Sequence, residues 1–119
     1  APLADDLRLP ARSSTVERSW FVYVVQLRDH FATEARNQLM DHLQSNGIGC
    51  APYFPPIHLQ PYHREHLGHA PGDFPVCEHV SDRTLALPFF PDLSDEAVHH
   101  VAQVLKDGLA SLPKQSSAR

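Results

Sequence analysis

The segment Trp20–Leu27 constrains the fold more than any other stretch of this sequence. It reads Trp-Phe-Val-Tyr-Val-Val-Gln-Leu, so aromatic and β-branched residues dominate it. Such side chains favour the pleated surface of a sheet. Polar residues bound the run, with Ser19 before it and Arg28 after it. Composition and boundaries together predict a buried β-strand over residues 20–27.

Two segments show the apolar spacing of amphipathic helices. The first, residues 34–46, follows a candidate N-cap at Thr33 and precedes Gly47, which suits the left-handed position after a helix. Its apolar residues at helical spacing are Ala35, Leu39, Met40 and Leu43. The second starts after a candidate N-cap at Ser94. Its predicted buried stripe consists of Val98, Val101, Ala102, Leu105 and Leu109.

Shorter elements fill the region between these helices. Ile48–Phe54 predicts a strand that ends at two consecutive prolines, and Thr84–Leu87 predicts another strand. Pro61–Leu67 and Pro75–Arg83 predict two short helices. The order β-α-β-α-α-β-α indicates the α+β class: a small, mostly antiparallel sheet of three to four strands with helices packed on one face.

The length of 119 residues fits one domain, which we assign to residues 19–112. Residues 1–18 carry prolines, serines and mixed charges without a sustained period. We interpret them as a linker or extended lead-in. Residues 113–119 are polar and predict a disordered tail.

Charge and cysteine content exclude several classes of protein. The net charge of −4 argues against a nucleic-acid-binding surface, which normally carries a basic stripe. No apolar run approaches the roughly 18 residues of a membrane-spanning helix, so we predict no membrane partner. Cys50 and Cys77 can form at most one bridge, and we interpret both as reduced thiols. These features predict a soluble, cytoplasmic protein.

The densest candidate site is the segment Tyr53–Tyr62. Two adjacent prolines, Pro55 and Pro56, hold the backbone extended, so His58 projects from a stiff segment. Two interpretations stay open from the residues alone. His58 either forms a hydrogen bond to the backbone of an ordered loop, or it is an active-site histidine on a rigid support.

Further histidines follow, and His63 and His66 would share one face of a helix. The sequence contains neither Cys-x-x-Cys nor His-Glu-x-x-His, so we predict no metal site. The alternative function from these residues is a stand-alone, histidine-rich α+β binding module that holds a metal or senses pH without catalysis.

Several motifs in order resemble the C-terminal domain of the DegT/DnrJ/StrS family of sugar aminotransferases. The resemblance spans about residues 8–110. The motifs that carry it are Ser19–Val25, Gly47-Ile48-Gly49, Tyr53–Pro61, Gly72–Pro75 and Arg83–Pro88.

This resemblance implies the small domain of the aspartate-aminotransferase-like fold in a homodimeric enzyme that uses pyridoxal phosphate. Such enzymes transfer an amino group, commonly from glutamate, to a nucleotide-linked ketosugar for polysaccharide, lipopolysaccharide or antibiotic sugars. The Schiff-base lysine and the cofactor site belong to an N-terminal domain, and neither Lys106 nor Lys114 matches the lysine motif of the family. We therefore expect pyridoxal phosphate in the full-length parent, none bound to this fragment, and no catalytic residue in this chain.

The resemblance also implies site residues. His58 would contact the substrate or the cofactor edge in a cleft between domains, and Tyr53 and Phe54 would shape the sugar pocket. Arg83 is a possible site residue that pairs with an acid or a phosphate, or else forms a structural salt bridge.

The faces that meet the N-terminal domain and the second subunit are expected to be apolar and exposed. They include Phe54, Ile57, Phe89 and Phe90. Uncovered apolar patches tend to associate, so we predict that the isolated fragment packs against itself through them.

Overall fold

A four-stranded antiparallel sheet carries the fold in a computed structural model that describes residues 3–114. Its strands are β1 (Leu7–Arg8), β2 (Tyr23–Leu27), β3 (Ala51–Pro52) and β4 (Thr84–Leu87), in the spatial order β1-β2-β4-β3. All three neighbouring pairs are antiparallel, and Val25 lies opposite Leu85 at the centre. The structure confirms the predicted fold class.

Six helical elements connect and cover the strands. They are α1 (Leu3–Asp6), α2 (Ala35–Ser45), a 3-10 helix (Ile57–Leu59), α3 (Pro61–Leu67), α4 (Pro75–Ser81) and α5 (Asp95–Ala110). The long helices α2 and α5 pack together over the sheet, and their apolar faces share one core with it. The buried residues of that core include Val25, Leu27, Phe31, Leu39, Leu43, Leu85, Leu105 and Leu109.

The predicted ends of the two long helices are correct in part. The Oγ of Ser94 accepts a hydrogen bond from the backbone N–H of Ala97 at 3.1 Å, which confirms this cap. Gly47 has a φ of 78°, as expected after the end of α2. The predicted cap at Thr33 is wrong, because α2 begins after Glu34 and no side chain caps it.

Two of the strand predictions are too long. The strand predicted over residues 20–27 begins at Tyr23, and Trp20 and Phe21 are 46% and 77% exposed. The strand predicted over residues 48–54 shrinks to Ala51–Pro52 at the sheet edge. Proline lacks the N–H that a longer ladder would need, so an edge position is the one it tolerates.

Residues 3–8 belong to the fold, so the interpretation of residues 1–18 as a lead-in is wrong for this part. Leu7 pairs with Leu27 across the sheet and is 1% exposed in the core. The Arg28 guanidinium also donates to the carbonyl oxygen of Ala4 at 3.0 Å. The alternation of buried and exposed residues is invisible in a strand of two residues, which is why the sequence did not reveal it.

Residues 113 and 114, the last two that the structure describes, pair with the backbone of residues 31 and 32. The backbone N–H of Ala32 donates to the carbonyl oxygen of Pro113 at 3.0 Å, and Lys114 forms a β-bridge with Phe31. The tail predicted over residues 113–119 is therefore wrong at its first two residues. Its other five, residues 115–119, lie outside the described part of the chain.

Candidate functional site

His58 lies on the 3-10 helix that follows the two prolines. Pro56 has extended backbone angles, with φ −59° and ψ 132°, as its ring requires. Pro61 then begins α3, so prolines bound the histidine on both sides. His58 is 8% exposed, whereas its neighbour Ile57 is 69% exposed. The stiff segment therefore turns the imidazole inward and leaves the isoleucine on the surface.

Glu78 of α4 is the partner of His58. The Nε2 of His58 lies 2.9 Å from Oε2 of Glu78. The same carboxylate accepts the backbone N–H of Gly72 at 2.9 Å and that of Phe74 at 3.1 Å. These hydrogen bonds, from Gly72 first and then from His58, hold the pKa of Glu78 below its usual range. Glu78 is therefore an ionised carboxylate at neutral pH.

A second histidine–carboxylate pair lies in the same loop. The Nδ1 of His69 is 3.2 Å from Oδ2 of Asp73, which also accepts the backbone N–H of Ala70 at 3.0 Å. The Ala70 hydrogen bond, followed by that of His69, lowers the pKa of Asp73. The ring of Phe74 packs edge-on against His58 at a centroid distance of 4.8 Å and against His69 at 5.5 Å.

These side chains surround a concave pocket of about 340 Å³, which we call the His58 pocket. Its lining consists of Ile57, His58, His63, His69, Phe74 and Cys77. Imidazoles beside an aromatic ring can form hydrogen bonds to hydroxyl groups and pack against the apolar face of a sugar. Within residues 3–114, no three His, Cys, Asp or Glu side chains are grouped so that they could hold a metal ion.

Tyr53 and Phe54 lie outside the lining of the His58 pocket. Their rings contact each other at a centroid distance of 4.1 Å, and Phe54 is 63% exposed. The carbonyl oxygen of Tyr53 accepts a hydrogen bond of 2.6 Å from Oγ1 of Thr84. The central strand β4 therefore anchors the segment that presents Phe54 to solvent.

Arg83 lies inside the molecule. It is 3% exposed, and its Nη1 donates to the carbonyl oxygens of Arg28 at 3.1 Å and Phe31 at 3.0 Å. Among residues 3–114 its partners are these two backbone acceptors, and the predicted salt bridge is not formed. A buried guanidinium needs such acceptors, and the turn after β2 supplies two carbonyl oxygens within reach. Arg83 supports the fold beside the site.

The sequence interpretation missed Glu78, which organises the pocket. A usable signal was present, since Glu78 lies in the first turn of a helix that begins with Pro75. An acidic side chain there can reach back to the N–H groups before the helix, as in a capping box. Its carboxylate does so at Gly72 and Phe74, and the remaining contact to His58 spans 20 residues, too far for a local pattern.

The apolar residues predicted to be exposed are exposed. Phe54, Ile57, Phe89 and Phe90 have exposed fractions of 63%, 69%, 41% and 53%. An apolar groove of about 450 Å³ runs between α5 and strands β1, β2 and β4, with Phe89 and Phe90 at its wall. The predicted stripe of α5 is wrong at Val98, which lines this groove and is 47% exposed, whereas Leu105 and Leu109 are buried.

Neither lysine has the surroundings that a Schiff-base lysine needs. Lys106 is exposed on α5. The Nζ of Lys114 lies 3.9 Å from the centroid of the Phe31 ring and 3.9 Å from Oδ1 of Asp6, and its side chain is 51% exposed. A reactive lysine is desolvated in a pocket, so neither residue fits pyridoxal phosphate. Within residues 3–114, no helix is long and apolar enough to cross a membrane.

Relatives of the chain are considerably longer. EryC1 of Saccharopolyspora erythraea, an erythromycin biosynthesis sensory transduction protein, is 35% identical over 103 residues, or 86% of this chain and 26% of its own. The spore coat polysaccharide biosynthesis protein SpsC of Bacillus subtilis is 32% identical over 90 residues, or 75% of this chain and 23% of its own. The chain therefore spans about a quarter of the length of these relatives.

A solved structure supports the same architecture. The pyridoxal phosphate form of Spr1654 from Streptococcus pneumoniae matches with a TM-score of 0.80 and 24% identity, over 88% of this chain and 26% of that one. The sequence model of one aminotransferase family matches residues 2–106, which is nearly the whole chain. The chain belongs to the DegT/DnrJ/EryC1/StrS aminotransferase family.

Proposed function

We propose that this chain is the C-terminal domain of a pyridoxal-phosphate-dependent aminotransferase that acts on a nucleotide-linked ketosugar, with glutamate as amino donor. The observation that carries the proposal is the family match over residues 2–106. The names of two relatives, which refer to polysaccharide and erythromycin biosynthesis, support sugar chemistry as the setting. The cytoplasm, where nucleotide sugars are made, is the proposed location.

The chemistry of the cofactor is assigned to another part of the protein. Lys106 and Lys114 both lie in solvated surroundings, which supports a Schiff-base lysine outside this chain. The relatives are about four times as long as the matched segment, which leaves room for an N-terminal domain that binds the cofactor. We therefore expect the 119-residue chain alone to bind no pyridoxal phosphate and to be inactive.

The contribution of this chain is to line the substrate cleft. His58 would form a hydrogen bond to the substrate, because prolines fix its backbone and Glu78 and Phe74 fix its ring. Phe54 is 63% exposed on a segment anchored to β4, so it can cover an apolar face of the sugar, with Tyr53 beside it. Groups held in this way lose little entropy when a ligand binds.

The exposed apolar surfaces are proposed contacts of the N-terminal domain and of a second subunit. The groove beside α5 and the side chains of Phe89 and Phe90 are apolar and uncovered in the single chain. Exposed patches of this kind commonly mark protein contacts. They support a homodimer as the form of the full-length enzyme.

The test is an activity assay on the full-length protein. We expect amination of a nucleotide-linked ketosugar by glutamate only when pyridoxal phosphate is added, and no activity from the 119-residue chain. H58A should lower kcat/KM about tenfold or more, because one hydrogen bond to substrate is lost. H99A is the matched control, since His99 is exposed on α5. Full activity of H58A would show that His58 does not bind the substrate. Activity without pyridoxal phosphate would show that the enzyme is not a pyridoxal-phosphate-dependent aminotransferase.

A further inference from the structure

The pair of His58 and Glu78 determines which ring nitrogen of the histidine carries a proton. A carboxylate only accepts hydrogen bonds, and Glu78 is ionised because three donors converge on it. The contact of 2.9 Å between Nε2 and Oε2 therefore requires a hydrogen on Nε2 of His58. In a neutral imidazole with one N–H, the other nitrogen keeps its lone pair.

We propose that Glu78 is a positioning residue that holds His58 as the Nε2–H tautomer, so that His58 meets a ligand as a hydrogen-bond acceptor through Nδ1. The proposal deepens the function proposed above and depends on it for the identity of the ligand. It selects a ligand group that donates, such as a sugar hydroxyl. A phosphate oxygen, which only accepts, would find no donor at Nδ1 of the neutral ring.

The surroundings of His58 support this assignment. Phe74 contributes twice, because its backbone N–H binds the Glu78 carboxylate and its ring packs on the imidazole at a tilt of 69°. The ring is 8% exposed, so it has little room to rotate by half a turn and exchange its nitrogens. Within residues 3–114, no hydrogen bond to Nδ1 of His58 is formed, which leaves this nitrogen for a ligand.

The neighbouring pair of His69 and Asp73 provides a matched control. Here the bond involves Nδ1 instead of Nε2, at 3.2 Å, and the two side chains are 32% and 40% exposed. The same argument assigns His69 the opposite tautomer, with the proton on Nδ1. A change at Asp73 disturbs the loop to a similar degree and leaves the partner of His58 in place.

The experiment is a long-range ¹H–¹⁵N correlation spectrum of the ¹⁵N-labelled 119-residue chain near neutral pH, where protonated and unprotonated ring nitrogens are well separated. The signals of His58 are identified by their loss in H58A. We expect Nε2 to be protonated and Nδ1 unprotonated, with about a tenfold or larger excess of this tautomer, because a charge-assisted hydrogen bond stabilises it. A protonated Nδ1 as the major form would overturn the proposal.

Two variants test the role of Glu78. In E78Q the amide can turn its NH₂ group toward the histidine, and we expect the excess of the Nε2–H form to disappear; D73N should leave it unchanged. An unchanged spectrum in E78Q would overturn the positioning role, and the wild-type spectrum decides the tautomer even if E78Q does not fold. The spectra need no cofactor or substrate. If H58A keeps full activity but the wild-type spectrum shows the expected tautomer, the proposed role of His58 in substrate binding is rejected and the tautomer assignment stands.

Discussion

The packed face of the sheet and the segment of residues 55–81 differ in what holds them together. On the sheet, thirteen apolar side chains from the strands, α2, α5 and the adjoining turns form one core. Within residues 55–81, the one buried residue is His58, and it is polar. Hydrogen bonds from backbone N–H groups and histidines to two carboxylates hold this segment in shape.

This difference means that one region stabilises the fold and the other orients side chains for a ligand. The apolar core is insensitive to the direction of any single polar group, and its energy scales with buried area. The 55–81 segment buries little apolar surface, so its shape depends on a few directional bonds. Directional bonds fix the orientation of a side chain, which is what a ligand site requires. Three predictions test this comparison.

The largest expected effect comes from removing a core leucine. L39A should lower the free energy of unfolding by about 2–5 kcal/mol, because Leu39 is fully buried and leaves a cavity. L67A, at a leucine that is 62% exposed in the 55–81 segment, should change it by less than about 0.5 kcal/mol. Urea denaturation of both variants measures the difference. Equal losses in the two variants would mean that the 55–81 segment is packed as tightly as the core.

A smaller effect is expected where α5 approaches α2. A Cβ on Gly108 would lie 2.7 Å from Cδ2 of His42 and 2.8 Å from Cδ1 of Leu39. The overpacking cost of about 1–3 kcal/mol exceeds the roughly 0.5–1 kcal/mol that alanine gains over glycine in a helix, so G108A should destabilise the protein by about 0.5–2 kcal/mol. Gly49 is the matched control, since a Cβ there meets nothing within 4 Å. Thermal unfolding of the two variants tests the prediction. If G108A were as stable as G49A, the two helices would have room to move apart, and the core would be less rigid than described.

The sequence predicted the elements of the apolar core better than the contacts of the 55–81 segment. Helix periodicity predicted the buried faces of α2 and α5, and the aromatic and β-branched composition of residues 20–27 predicted β2, because burial of apolar surface leaves a pattern in the sequence. Strands of two residues are too short to show a pattern, so the sequence predicts a lead-in at β1 and too long a strand at β3.

Of the candidate site, only the stiff backbone segment that carries His58 was predictable from the sequence. The prolines around His58 indicated a stiff segment, and His58 is indeed held firmly. Its partner could not be inferred, because Glu78 is 20 residues away and belongs to another helix. The sequence shows that Arg83 is charged but not that it is buried. The predicted salt bridge is therefore absent among residues 3–114, and the carbonyl oxygens of Arg28 and Phe31 accept its hydrogen bonds.

The smallest expected effect is a local loss of order in acid. The pKa values of Glu78 and Asp73 are lowered in the folded protein, so their ionised forms stabilise the 55–81 segment. This contribution is complete above their ordinary pKa values of 4.5 and 3.8 and is lost as the pH falls through the lower folded-state values.

Amide hydrogen exchange of Gly72 and Phe74, corrected for intrinsic rates, measures this loss. We expect their protection to be constant from about pH 7 to about pH 5 and to fall at lower pH as the carboxylates become protonated, while amides of β2 and β4 stay protected. E78Q should show low protection of both amides at every pH, because an amide side chain accepts fewer of the three hydrogen bonds. Equal protection of both amides in the wild type and E78Q near neutral pH would show that apolar packing, and not the Glu78 carboxylate, holds this segment.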